Sequence, residues 1–111
     1  MPESGLWTID FLSTINLLGS GVLVMNNSRL LGGDEGFYYS GSYEITPPNK
    51  MTAEIRVTRF KPDHISVFGD IGQFTLDFQG ILEERSFKGV ATVKLNPSQK
   101  IQIKGTKQEE L

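Results

Sequence analysis

The chain has no cysteine. That removes disulfides, thiolate metal sites and a cysteine nucleophile together, and it fits a reducing compartment. There is one histidine, His64, and no serine motif to pair with it. Its neighbour Asp63 is adjacent in the chain, and adjacent side chains rarely converge on one reacting atom, so His64 is not read as catalytic. A basic excess is also missing. Eleven Lys and Arg stand against 13 Asp and Glu, a net charge of −2, which leaves no electrostatic footprint for nucleic acid. The longest apolar run, Val22 to Met25, falls far short of the roughly 20 residues of a membrane helix. The opening MPESGLWTID lacks the basic and apolar regions of a signal peptide. The expected location is the cytoplasm, with no membrane partner. No segment of any length carries a helical period.

What the chain does have is a period of two. Phe74 to Leu95 reads as two strands about a polar turn at Glu84-Arg85. Phe74, Leu76, Phe78, Gly80 and Leu82 share one face of the first arm. Phe87, Gly89, Ala91, Val93 and Leu95 share one face of the second. Closing that turn sets Leu82 against Phe87, Gly80 against Gly89 and Phe78 against Ala91, so both apolar faces point the same way. Paired inner glycines let such a hairpin bend.

The remaining segments repeat the pattern. Strand one is Gly5 to Leu12, where Trp7 needs a partner for its indole N–H. Strand two, Gly19 to Asn26, is apolar on both faces, so something should cover Val22 and Val24. A turn at Asn26-Asn27-Ser28 leads into a short strand beginning Arg29-Leu30-Leu31. Gly32 to Gly36 lacks the helix and Lys-Ser/Thr pair of a phosphate loop and reads as a turn with positive φ angles. Strand four is Phe37 to Ile45, whose tyrosines either line a pocket or send their hydroxyls to backbone groups. Thr46 to Lys50 is an exposed turn, and Met51 to Phe60 is strand five. Lys61 to Gly72 is irregular yet carries Ile65, Val67, Phe68 and Ile71, so it is expected to fold back as a plug over an opening of the barrel or to pack against another chain. After the hairpin, a turn at Asn96-Pro97-Ser98 precedes the last strand, Gln99 to Thr106.

About eight short strands with short loops predict an all-β, eight-stranded, antiparallel up-and-down barrel. Residues 1–106 would form the domain and residues 107–111 a polar tail. Glycines at inner positions 21, 41, 80, 89 and 105 either bend the wall or leave a void for a ligand, with bending favoured. Trp7, Tyr39, Tyr43, Phe74, Phe78 and Phe87 are candidate cavity-lining residues. Val22, Val24, Ile81 and Val90 are apolar at outer positions and form a candidate dimer or partner face.

Gly5 with the strand LWTIDFLS, then Gly19-x-Gly21-x-Leu23, Gly32-Gly33-Asp34, Tyr39-x-Gly41, Ile55 to Phe60 and Ser66-Val67 occur in one order along Gly5 to Leu95. In that order and spacing the chain resembles GrlR, the negative regulator of a type III secretion gene cluster in attaching-and-effacing enterobacteria. The resemblance implies a bacterial, lipocalin-like barrel that dimerises, with an apolar internal cavity and a plug-like loop. It further implies that the protein binds and blocks a transcriptional activator. The family's acidic run between strands four and five is replaced here by Thr46-Pro47-Pro48-Asn49-Lys50, so those recognition residues do not carry over. Three functions are therefore weighed: a noncatalytic regulator that binds protein, a carrier of a small apolar or lipid-like ligand, and, last, an enzyme. No cofactor and no metal are expected.

Overall fold

The computed structural model describes residues 3–13, 18–65 and 72–111. Its strands are β1 (Gly5–Ser13), β2 (Leu18–Asn26), β3 (Arg29–Gly33), β4 (Phe37–Thr46), β5 (Lys50–Arg59), β6 (Gln73–Leu82), β7 (Ser86–Val93) and β8 (Asn96–Glu110). Each pairs antiparallel with the next, and β1 pairs with β8, so the sheet closes into an eight-stranded barrel in sequence order. The all-β up-and-down architecture read from the alternating pattern is the architecture of the molecule.

The register follows from burial. Along β5, Met51, Ala53, Ile55 and Val57 are buried, while Glu54 and Arg56 face outward and are exposed. In the β6–β7 hairpin Leu82 faces Phe87, Gly80 faces Gly89 and Phe78 faces Ala91. A slip by one residue would turn every one of these side chains to the wrong face. Asn27 and Ser28 both have positive φ, 50° and 67°. They form a two-residue turn between Asn26 and Arg29, which pair across it, the backbone a twisted hairpin favours.

Three expectations about the chain path change. The β7–β8 turn lies at Lys94-Leu95, because Val93 pairs with Asn96. Leu95 is therefore 97% exposed rather than inside. The register then jumps to Thr92 against Lys100, leaving Pro97 to Gln99 as an outward bulge where a proline costs no ladder bond. The polar residues after Thr106 are also not a free tail. β8 continues to Glu110 and pairs with β1 along Gly5 to Ser13. Only a strand-long pairing explains Lys107, whose side chain is 2% exposed and donates to Glu110 Oε2 at 2.9 Å. That hydrogen bond holds the Glu110 carboxyl below its ordinary range. Finally, the glycine-rich break needs no positive φ. Among the described glycines that φ occurs only at Gly5. Gly32 and Gly36 are required by space instead: a Cβ would lie 2.1 Å from the Val22 carbonyl oxygen in one case and 2.5 Å from His64 in the other.

Inner glycines serve the wall rather than a void. A Cβ on Gly105 would lie 2.2 Å from the Phe87 ring, and one on Gly21 would lie 2.8 Å from the Tyr39 hydroxyl. Aromatic side chains thus occupy the space that a side chain at these two positions would need. At Gly41 the obstacle is backbone, the Glu54 carbonyl oxygen at 2.0 Å, as a strongly coiled sheet requires.

Candidate functional site: an apolar internal cavity

The up-and-down path gives the barrel two poles. One pole gathers the start of β1, the β2–β3, β4–β5 and β6–β7 turns, and the end of β8. It is closed by the chain itself. Glu3 and Ser4 precede β1 and are buried. The Trp7 indole N–H donates to the Glu3 carbonyl at 3.0 Å, and the Tyr43 hydroxyl donates to Glu3 Oε2, also at 3.0 Å. The indole therefore has the partner that its burial demands. Burial and the neighbouring Glu3 carboxylate push the Tyr43 hydroxyl up to about 12. The Trp7 ring lies 5.2 Å from Phe87, which meets Phe78 edge-on at 5.7 Å.

The described residues do not close the opposite pole. Between the poles lies a cavity of about 530 Å³, within the range of sites that hold small molecules. Its walls are apolar: Ile9, Leu23, Leu30, Met51, Ile55, Val57, Leu76, Ile101 and Ile103, with Phe11, Phe37, Tyr39, Phe74, Phe78 and Phe87. Among the described residues its polar lining is Ser20, Asp34, Glu35 and His64, at the end away from Glu3, and the Tyr39 hydroxyl.

Asp34 organises that rim. Its Oδ1 accepts the amide N–H of Gly36 and of Phe37, each at 2.9 Å, and its own N–H donates to the Phe37 carbonyl at 2.9 Å. This is the local turn that an Asp supplies through its side chain. Its Oδ2 accepts a short hydrogen bond from the Tyr39 hydroxyl. Burial, reinforced by Asp34, raises Tyr39 far above the ordinary phenol range. His64 packs against Gly36 and is held from below by Arg59, whose Nη1 donates to the His64 carbonyl at 3.1 Å. His64 Nδ1 lies 3.2 Å from Asp63 Oδ1, and Nε2 lies 3.9 Å from Glu35 Oε1. The contact with His64 keeps the Asp63 carboxyl below its ordinary range.

Four of the six aromatic candidates, Tyr39, Phe74, Phe78 and Phe87, do line the cavity. Trp7 and Tyr43 do not: they fill the closed pole, because the Glu3–Ser4 segment tucks beneath them. Both described tyrosine bonds go to carboxylates rather than to the backbone. Of the plug residues, Ile65 lines the mouth while remaining 69% exposed. Val67, Phe68 and Ile71 lie outside the described residues. The four outer apolar positions do not make one face. Val22 and Val24 are on β2, whereas Ile81 and Val90 are on β6 and β7, across the barrel. Ile81 stands between Lys50 and Lys88, and Val90 between Gln79 and Gln102. Val24, by contrast, lies beside Leu6 and Leu31, and Val22 is separated from Tyr38 only by Gly33. In the sequence the rim residues Asp34 and Glu35 stood only within the glycine-rich turn Gly32 to Gly36, with no role at a cavity. The signal for Asp34 was its place just before a strand whose first inner residues are Phe37 and Tyr39.

Among the described residues no three Asp, Glu or His side chains come together as a metal site. None of them forms a helix long and apolar enough to cross a membrane. No protein-family model matches the chain, and no curated protein matches it. Among solved structures the chain is similar to a redesigned β-barrel. The TM-score is 0.69 at 16% identity, over 97% of this chain and 93% of that one. At that identity the likeness shows the barrel fold alone.

Proposed function

We propose that this barrel is a noncatalytic binding protein that carries a small apolar or lipid-like molecule in its interior. The observation that supports the reading is the cavity of about 530 Å³, walled by aliphatic and aromatic side chains and, among the described residues, not closed at one pole. A volume of that size corresponds to the liquid share of roughly 18 waters, too large to be a packing defect in a close-packed core. An apolar guest would gain the burial term along its whole body. Titration with Nile red tests this. Binding with a saturable blue shift is expected, and Val57→Phe and Leu23→Trp, both of which place bulk in the cavity, should each abolish it. A wild-type barrel that leaves the dye unshifted would refute the carrier reading.

A second reading draws on the outside of the barrel. Leu6, Val22, Val24, Leu31 and Tyr38 lie on neighbouring outer positions of β1 to β4, and Val22, Leu31 and Tyr38 are close to half exposed. A contiguous apolar patch of this kind supports a homodimer or a protein partner. In that reading the protein acts in the bacterial cytoplasm as a GrlR-type negative regulator that sequesters a transcriptional activator. The two readings are compatible, since one uses the inner face of the sheet and the other the outer.

A further inference from the structure

Among the described residues the polar lining of the cavity lies at one end, where the carboxylates of Asp34 and Glu35 stand with His64. Along its walls the lining is aliphatic and aromatic, and among the described residues no buried side-chain nitrogen or oxygen lacks a partner. A polar atom carried deep into the barrel would lose its water and find no replacement. The body of a guest must therefore be apolar, and any polar group must stay at the mouth.

What waits there is a set of acceptors. The Tyr39 hydroxyl is already committed to Asp34. Asp34 and Glu35 each bring a carboxylate to the lining, and among the described residues no Lys or Arg belongs to it. His64 has Nδ1 beside Asp63 at 3.2 Å; with the ring proton there, Nε2 is an acceptor as well. Glu35 is the carboxylate with freedom to respond, since its side chain is 89% exposed and its Oε1 lies 3.9 Å from Nε2 of His64.

Resting on the carrier reading, we propose that the cavity selects amphipathic molecules with an apolar tail and a cationic amine head, and discriminates against carboxylates, with Glu35 as the selecting residue. The head would sit at the rim beside Glu35 and Asp34, and the tail would lie along Val57, Leu76 and Ile103. Because the rim is wet, the charge contribution is that of an exposed pair. Attraction for one head and repulsion of the other together amount to about tenfold in affinity.

The test is displacement of Nile red from the intact protein by decylamine, decanol and decanoate, whose tails are alike. The expected order is amine, then alcohol, then carboxylate, with about tenfold between the extremes and a smaller gap at high salt. Glu35→Lys should reverse the order of amine and carboxylate, with decanol, which carries no charge, changing least. Glu35→Gln should narrow the gap without reversing it. Equal displacement by all three, or a preference for decanoate in the wild type, would overturn the head-group assignment and leave the carrier reading standing. Failure of the dye and of all three amphiphiles to bind would overturn both.

Discussion

Gly105 and Phe87 face each other across β7 and β8, and their contact yields a quantitative prediction. A methyl group on residue 105 would lie 2.2 Å from Phe87 Cε2 and 2.4 Å from Cζ. That is roughly 1 Å inside ordinary carbon–carbon separation. The ring cannot simply swing aside, since Trp7 lies 5.2 Å from it and Phe78 lies 5.7 Å from it. Gly105→Ala should therefore cost about 1–3 kcal/mol, the usual range for overpacking. Phe87→Ala removes a ring that is 4% exposed and should cost about 3–5 kcal/mol. With the ring gone the methyl group at 105 has room, and alanine suits a strand better than glycine. The double variant should then be no less stable than Phe87→Ala alone, a coupling of about 1–3 kcal/mol. Urea unfolding followed by the fluorescence of Trp7, the lone tryptophan, measures all four corners of the cycle. Domains of this kind hold about 5–15 kcal/mol, so the single variants should stay folded. If the two costs simply add, the ring does not rest on Gly105 and the account of the inner glycines fails.

Other predictions follow from the same geometry. Tyr43 has its folded pKa raised to about 12 from 10.0, so the stability it contributes is complete below pH 10 and lost as pH rises toward 12. Tyr43→Phe should flatten that alkaline decline in a pH series of thermal melts, though its stability near neutrality should also fall because the buried Glu3 carboxylate loses its donor; an unchanged slope above pH 10 would contradict the assignment. Lys94 contacts Glu54 and Asp77 on the outer wall, all three about half exposed. Lys94→Ala should shift the melting temperature only slightly, and about 1 M salt should erase the difference. Val24→Asp should convert any dimer formed through the Leu6–Val24–Leu31 row into a monomer of unchanged circular dichroism. A variant that sediments like the wild-type dimer would remove that face from consideration.

How much of this was legible in the sequence differs by level. Strand positions and the β6–β7 register were readable because alternation is enforced wherever one face is buried, as with Phe78 against Ala91. The last strand was misjudged where alternation gives no signal: Lys107 through Glu110 are polar throughout, and only pairing with β1 makes them a strand. Proline at 97 suggested a turn, but a bulge meets the same constraint, and the choice depends on which residues pair. The cavity was harder. Inward aromatics look alike in sequence whether they close a pole, as Trp7 and Tyr43 do, or line a void, as Phe74 does. The deciding residue, Glu3, lies outside the periodic pattern. The acidic rim was hidden for a similar reason: the convergence of Asp34, Glu35 and His64 depends on two loops meeting at one pole.

The seam between β1 and β8 also governs the order in which the molecule can assemble. Every other strand pairs with a neighbour reached by a turn or loop, whereas Gly5 meets Glu110, roughly a hundred residues away, a closure whose chain entropy amounts to about 4 kcal/mol. The three hairpins formed by β2–β3, β4–β5 and β6–β7 can arise locally and early, but the last contact waits for β8. During synthesis β1 would spend that interval with one bare edge exposed. This barrel is therefore expected to fold slowly for its size, and its most aggregation-prone moment is the one just before the seam is sewn.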